Sequence, residues 1–148
     1  MNDLAMPYRH TQRGTWIVVC CLAFAALDAA IAWWTGQWIP VAVLVILVAV
    51  AILFSSLTVE VNASEIRWHF GPGVWAYRQS LGEIESVNVV RNQWWNGWGI
   101  RTASGFQLYN VSGLDAVELR LKSGDVQRIG TDDPQGLAAA LKAPRHSA

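Results

Sequence analysis

The chain is poor in cysteine, in charge, and in any excess of one sign. Its two cysteines, Cys20 and Cys21, are neighbours inside an apolar run, with no thiol elsewhere to pair with. They read as small packing residues rather than a disulfide framework. His10, His69 and His146 are scattered and no second cysteine group follows, so no metal centre is expected. Charged residues make up 15% of the chain, below the ~25% usual in soluble domains. The 11 bases are matched by 11 acids, which leaves no surplus of Lys and Arg for phosphate and excludes a nucleic-acid partner. Recognised catalytic patterns are also missing. His69, Ser112 and Asp115 are the residue types of a nucleophilic triad, but no nucleophile elbow or phosphate loop accompanies them. Asp132 and Asp133 are paired carboxylates that helix capping explains. No catalytic residue, no bound metal and no cofactor is therefore expected.

What the chain has in excess is apolar residues, 53% of the total, concentrated before residue 58. Residues 15–34 form a run broken by a single charge, Asp28, and residues 38–57 form a second run with no ionisable group. Twenty residues of helix rise ~30 Å, the thickness of a bilayer's hydrocarbon core. Only Thr35, Gly36 and Gln37 separate the runs, which predicts a tight antiparallel transmembrane hairpin, and Pro40 suits the first turn of its second helix. Trp16 lies at one end of the hairpin and Trp33, Trp34 and Trp38 at the other, as expected of indoles in the headgroup layers. Arg9 and Arg13 precede the first run and the short loop is uncharged, so both termini are expected in the cytoplasm, at the inner membrane. A cleaved signal peptide is the rival reading, with Ala30-Ile31-Ala32 as the cleavage pattern. The length of the run, Asp28 near that site, and the second span close behind it count against it. Asp28 itself reads as a protonated acid hydrogen-bonded within the hairpin or across a homo-oligomer, or else as part of a proton or ion pathway. Ala25 and Ala29, like Ala26 and Ala30, are spaced for close helix approach.

After residue 57 the period becomes two. Leu57, Val59 and Val61 alternate with polar residues, as do Ile66, Trp68 and Phe70, and Val117, Leu119 and Leu121. Less regular strands fit 74–80, 84–91, 98–102, 106–111 and 126–129, with turn signals at 62–64, 71–73, 104–105 and 123–124. A helix is predicted over 133–142, with Asp133 as N-cap, Pro134 in its first turn and Leu137, Ala140 and Leu141 on its apolar face. The domain plan is an N-terminal tail (1–14), a helical hairpin (15–57), a β domain with its closing helix (58–143) and a C-terminal tail (144–148).

The stretches Gly97-Trp98-Gly99-Ile100-Arg101, Leu108-Tyr109-Asn110-Val111-Ser112-Gly113 and Arg128-Ile129-Gly130-Thr131-Asp132-Asp133-Pro134 resemble small bacterial membrane proteins with a pleckstrin-homology-like domain. The resemblance implies an α+β membrane protein: a transmembrane hairpin followed by two orthogonal antiparallel sheets, a partly open barrel or sandwich, capped by a C-terminal helix. The first hairpin turn, Asn62-Ala63-Ser64-Glu65, lacks the cluster of cations that holds inositol phosphates, since Arg67 is the only base nearby.

The most unusual local feature is the run Arg91-Asn92-Gln93-Trp94-Trp95-Asn96-Gly97-Trp98, with three tryptophans in five residues. Either these indoles anchor a loop on the bilayer or on a partner protein, or they close the open end of a small core. Arg91 and Arg101 flank the run, as contacts for lipid phosphates or as solvated strand ends. The leading expectation is a non-enzymatic module, tethered at the inner leaflet, that recruits or assembles a protein partner through a sheet edge or the tryptophan loop. A lipid-responsive surface sensor is the second reading, and an oligomeric transport or channel component using Asp28 the third.

Overall fold

In the computed structural model, which describes residues 8–103 and 105–143, the first element is a strand. The predicted C-terminal tail at 144–148, residues 1–7 of the N-terminal tail and Ser104 of the predicted turn lie outside the described residues. Residues 8–13 are not a tail: β1 (Tyr8–Arg13) pairs antiparallel with β2 (Ser56–Val61) along its whole length, from Tyr8 opposite Val61 to Arg13 opposite Ser56. Its sequence, YRHTQR, carries no apolar alternation, which is why period-two reading passes over it. Its buried residue is polar instead, because Gln12 donates from Nε2 to the Ser112 carbonyl at 2.9 Å.

Two helices fill the connection between these paired strands. α1 (Thr15–Thr35) ends at Gly36, whose left-handed φ of 65° lets its N–H reach the Ala32 carbonyl. α2 (Ile39–Leu53) starts after Trp38 and carries Pro40 in its first turn. The two helices pack against each other, and each has one buried residue, Ala25 and Ala51. The second apolar run was expected to be helical through residue 57; the helix stops at Leu53. The reason is that the run serves two environments. Phe54 turns onto Phe70 and Trp75 at ring distances of 5.4 and 5.9 Å, and Leu57 is already fully buried in the β core. Hydropathy alone does not register that change of neighbours. α1 is long and apolar enough to cross a membrane, whereas α2 has 15 residues.

The first sheet has the order β1-β2-β3-β4, with β3 (Glu65–Phe70) and β4 (Trp75–Ser80) completing it. The β2–β3 turn is closed by Asn62, whose Oδ1 accepts from the N–H groups of Ser64 and Glu65. The second sheet comprises β5 (Ile84–Arg91), β6 (Gly99–Ala103), β7 (Phe106–Asn110), β8 (Asp115–Leu121) and β9 (Val126–Gly130), in the order β5-β8-β9-β7-β6. An all-antiparallel arrangement was expected. The β7–β9 pair is parallel, because the β6–β7 hairpin swings back beside the last strand. α3 (Pro134–Lys142) packs on β5 and β8, and Asp133 caps it by accepting the Gly136 N–H at 3.0 Å.

The fold is thus α+β, with an apolar N-terminal helix and two sheets. The core lies between the sheets and under α3. It is built from the inward rows Leu57-Val59-Val61 and Ile66-Trp68-Phe70, facing Tyr109, Val111, Val117, Leu119 and Ile129, with Leu137 and Leu141 from the helix.

Candidate interaction surface

The helix pair joins the β domain without a linker. The Gly14 N–H donates to the Ser55 carbonyl at 2.8 Å, and the Gly71 N–H to that of Ser56 at 2.8 Å. A Cβ on Gly14 would overlap the Phe54 carbonyl oxygen, and one on Gly71, at φ 46°, would lie 2.5 Å from the Ile52 carbonyl oxygen. Only glycine lets the helix ends approach the strands so closely.

Three other chain segments come to this junction. The β3–β4 turn ends at Val74 and β4 opens with Trp75, both exposed, and the Trp75 ring leans on Phe54. β6 begins at Gly99, where a Cβ would lie 3.8 Å from Cε1 of Phe54. The turn after β7 brings Val111 within 3.3 Å of the same notional Cβ on Gly14. In the second sheet the pairing register puts Arg91, Asp115, Gly130, Asn110 and Gly99 at one end, the end shared with this junction. The predicted tryptophan loop, residues 92–98, connects β5 to β6 there.

Its local build follows from its residues. Asn92 is pinned: its N–H donates to the Leu114 carbonyl at 2.7 Å, and its Oδ1 accepts from Arg128 Nη1 at 3.2 Å. Arg128 is held in turn by Glu118 Oε2 at 2.8 Å and lies 3.8 Å over the Phe106 ring. Trp94–Asn96 then forms one 3-10 turn, and Gly97, at φ 70° and ψ −164°, adopts a backbone open to glycine alone. Arg101 folds back over Gly97 and donates from Nε to the Trp98 carbonyl at 3.3 Å.

The tryptophans do not close the core. Trp94 is 76% exposed, Trp95 62% and Trp98 42%, and Trp94 and Trp95 meet edge to face at 5.7 Å. The core's own indole is Trp68, packed against Tyr77 and Tyr109. Arg91 is largely exposed and makes one long ion pair with Asp115, 3.8 Å. Arg128, Glu118 and Asn92, which set the base of the loop, escape sequence reading, because their meeting depends on cross-strand register.

Asp28 lies elsewhere, in a cleft of about 250 Å³ between α1 and α2 lined by Phe24, Leu27, Ile31, Val43 and Leu47; its Oδ2 is buried with no hydrogen-bond partner among the described residues. Of the triad types, the Asp115 carboxylate pairs with Arg91, the Ser112 backbone carbonyl accepts from Gln12, and His69 Nδ1, beside Gly73, is buried with no hydrogen-bond partner among the described residues. Among the described residues no group of three or more His, Cys, Asp or Glu is placed to hold a metal ion. At the far end of β1, the Tyr8 hydroxyl donates to Asp133 Oδ2 at 3.1 Å, and His10 pairs with Asp132. Burial, reinforced by the hydrogen bond to Asp133 and by the two carboxylates, holds the Tyr8 phenol well above its ordinary pKa.

No family model and no curated protein matches the chain.

Proposed function

We propose that the chain is an integral membrane protein whose two helices both cross the bilayer, holding a non-enzymatic, pleckstrin-homology-like interaction domain at the cytoplasmic face of the inner membrane. One observation carries this reading: the helices are apolar all round and almost wholly uncovered, with Leu22, Phe24, Leu27, Val45, Ile46 and Ile52 among their exposed residues. A helix of that kind needs hydrocarbon or other protein around it. α2 spans ~22 Å, short of the ~30 Å core. Thinning of the bilayer around it, with Trp38 and Phe54 at its two ends, accommodates the difference. Because β1 and β2 are hydrogen-bonded neighbours, the two outer helix ends lie on one side, and Arg9 and Arg13 make that side cytoplasmic. The two sheets and the helix on β5 and β8 support the pleckstrin-homology-like reading. The added β1 and the parallel β7–β9 pair set this chain apart within it.

The domain's task in this reading is to recruit or assemble a protein partner. β4 is an outer strand of the first sheet with exposed Ala76, Arg78 and Ser80, and its edge, unpaired among the described residues, is suited to strand addition. The test is to purify the intact protein in native-lipid discs and to identify what is retained by mass spectrometry. The expected result is a stoichiometric protein companion, lost when Ala76→Glu and Arg78→Glu are introduced together. Discs holding lipid alone, enriched in one headgroup, would overturn recruitment in favour of the lipid-responsive reading, for which the exposed Trp94 and Trp95 speak.

A further inference from the structure

We infer that the tryptophan-bearing end of the β domain is a docking surface for the anionic headgroups of the bilayer that holds the helices. This rests on the reading that α1 and α2 span the membrane, and it adds an attachment independent of them. If the helices span, the level where Gly14 and Phe54 leave the β domain is the membrane surface. Three chain segments remote in sequence carry exposed apolar groups at that level or lead into it: Trp16 in the first turn of α1, Val74 with Trp75 at the start of β4, and the loop with Trp94 and Trp95 that enters β6 at Gly99. The first sheet reaches the junction through the Phe54–Trp75 contact and the second through Phe54 and Gly99. The opposite end of the second sheet has a different character, with the polar turn Ser123-Gly124-Asp125 between β8 and β9.

Charge selects the occupant. Arg13, Arg91 and Arg101 stand exposed at this end, where of the two nearby acids Asp115 pairs with Arg91 and Asp132, two residues past Gly130, with His10. Exposed indoles beside guanidinium groups suit the boundary layer, where a ring sits among glycerol and acyl carbons and a cation meets phosphate. A protein partner would have to reach these side chains between the domain and the bilayer. The pinned Asn92 and the backbone of Gly97 hold the loop in shape before contact, so little ordering cost is left for docking.

Depth measurement in vesicles tests this. The full chain, with Cys20→Ala and Cys21→Ala, receives one cysteine at a time, Gln93→Cys, Ser123→Cys or Ile46→Cys, labelled with a small fluorophore. It is reconstituted in phosphatidylcholine with and without phosphatidylglycerol. A headgroup nitroxide lipid should quench the Gln93 label several-fold more than the Ser123 label, and more when phosphatidylglycerol is present. Trp94→Ala with Trp95→Ala should remove most of that difference while circular dichroism stays unchanged. A Gln93 label as unquenched as that at Ser123, with the Ile46 label quenched by a deep acyl-chain nitroxide, would overturn docking and leave the spanning helices standing. An Ile46 label untouched by the deep nitroxide would overturn the spanning reading itself. Equal quenching in both lipid mixtures would remove the role assigned to the arginines.

Discussion

Trp68 and Trp94 show how far environment, rather than residue type, sets the role of an indole. Trp68 is 2% exposed and stacks on Tyr77 at 5.8 Å, so its removal leaves a cavity between two sheets. Trp68→Ala should cost about 3–5 kcal/mol, in the range of large aromatic deletions. Trp94→Ala and Trp95→Ala remove largely exposed side chains, and each should change stability by no more than about 0.5 kcal/mol. Thermal melts of the detergent-solubilised chain check both. A loss above ~2 kcal/mol for the exposed pair would mean that the loop supports the core. The sequence points to the cluster, because three tryptophans among glycines and amides suit no strand. It cannot assign core or surface, since an indole suits both and only the neighbours decide.

At the scale of the element, the helix–strand junction governs the design. α1 leaves β1 and α2 enters β2 where Gly14 comes close to Phe54 and Val111, and Gly71 to the last turn of α2. Gly14→Val forces the two backbones apart where the strand ladder continues into the helices. Its expected cost is about 2–3 kcal/mol, within the overpacking range, together with greater motion of the domain relative to the helices. Hydrogen exchange at residues 8–13 and 56–61 measures this; unchanged protection would show that the junction tolerates the shift. Helices, strands and the capped α3 are readable from periodicity and caps. β1 is not, because its buried residue is Gln12, whose Nε2 donates to a carbonyl 100 residues away. The end of α2 is hidden for a complementary reason: one unbroken apolar run feeds both the helix and the β core.

At the scale of the molecule, the aromatic cluster that binds the two sheets makes stability depend on pH at the alkaline end. Burial, with the neighbouring Tyr77 phenol adding to it, pushes Tyr109 up to about 12. The folded chain therefore holds this proton more tightly than the unfolded chain, whose tyrosines ionise near ~10. Stability from this source is complete below about pH 10 and is lost as pH rises through the folded value. Tyr8 shifts in the same direction, so the tie between β1 and the α3 cap weakens over the same alkaline range. Denaturant midpoints should be flat from neutral pH to about pH 10 and fall beyond it. Tyr109→Phe should blunt the fall, and an equally steep fall in that variant would place its origin elsewhere.

Composition and period by themselves determined the apolar stretch before residue 58, the change from helix to strands in the region that follows it, the capped C-terminal helix, and the oddity of residues 92–98. Each is a local property, set by hydropathy, side-chain alternation or capping chemistry within a few residues. The tertiary structure alone decided that residues 8–13 complete a sheet and that β7 and β9 run parallel. It also brought Arg128 and Glu118 to the base of the tryptophan loop, and left Trp94 and Trp95 exposed in the loop that leads into Gly99 at the helix junction. Those outcomes rest on pairings between residues tens of positions apart, where the free energy of contact depends on partners that no local window contains.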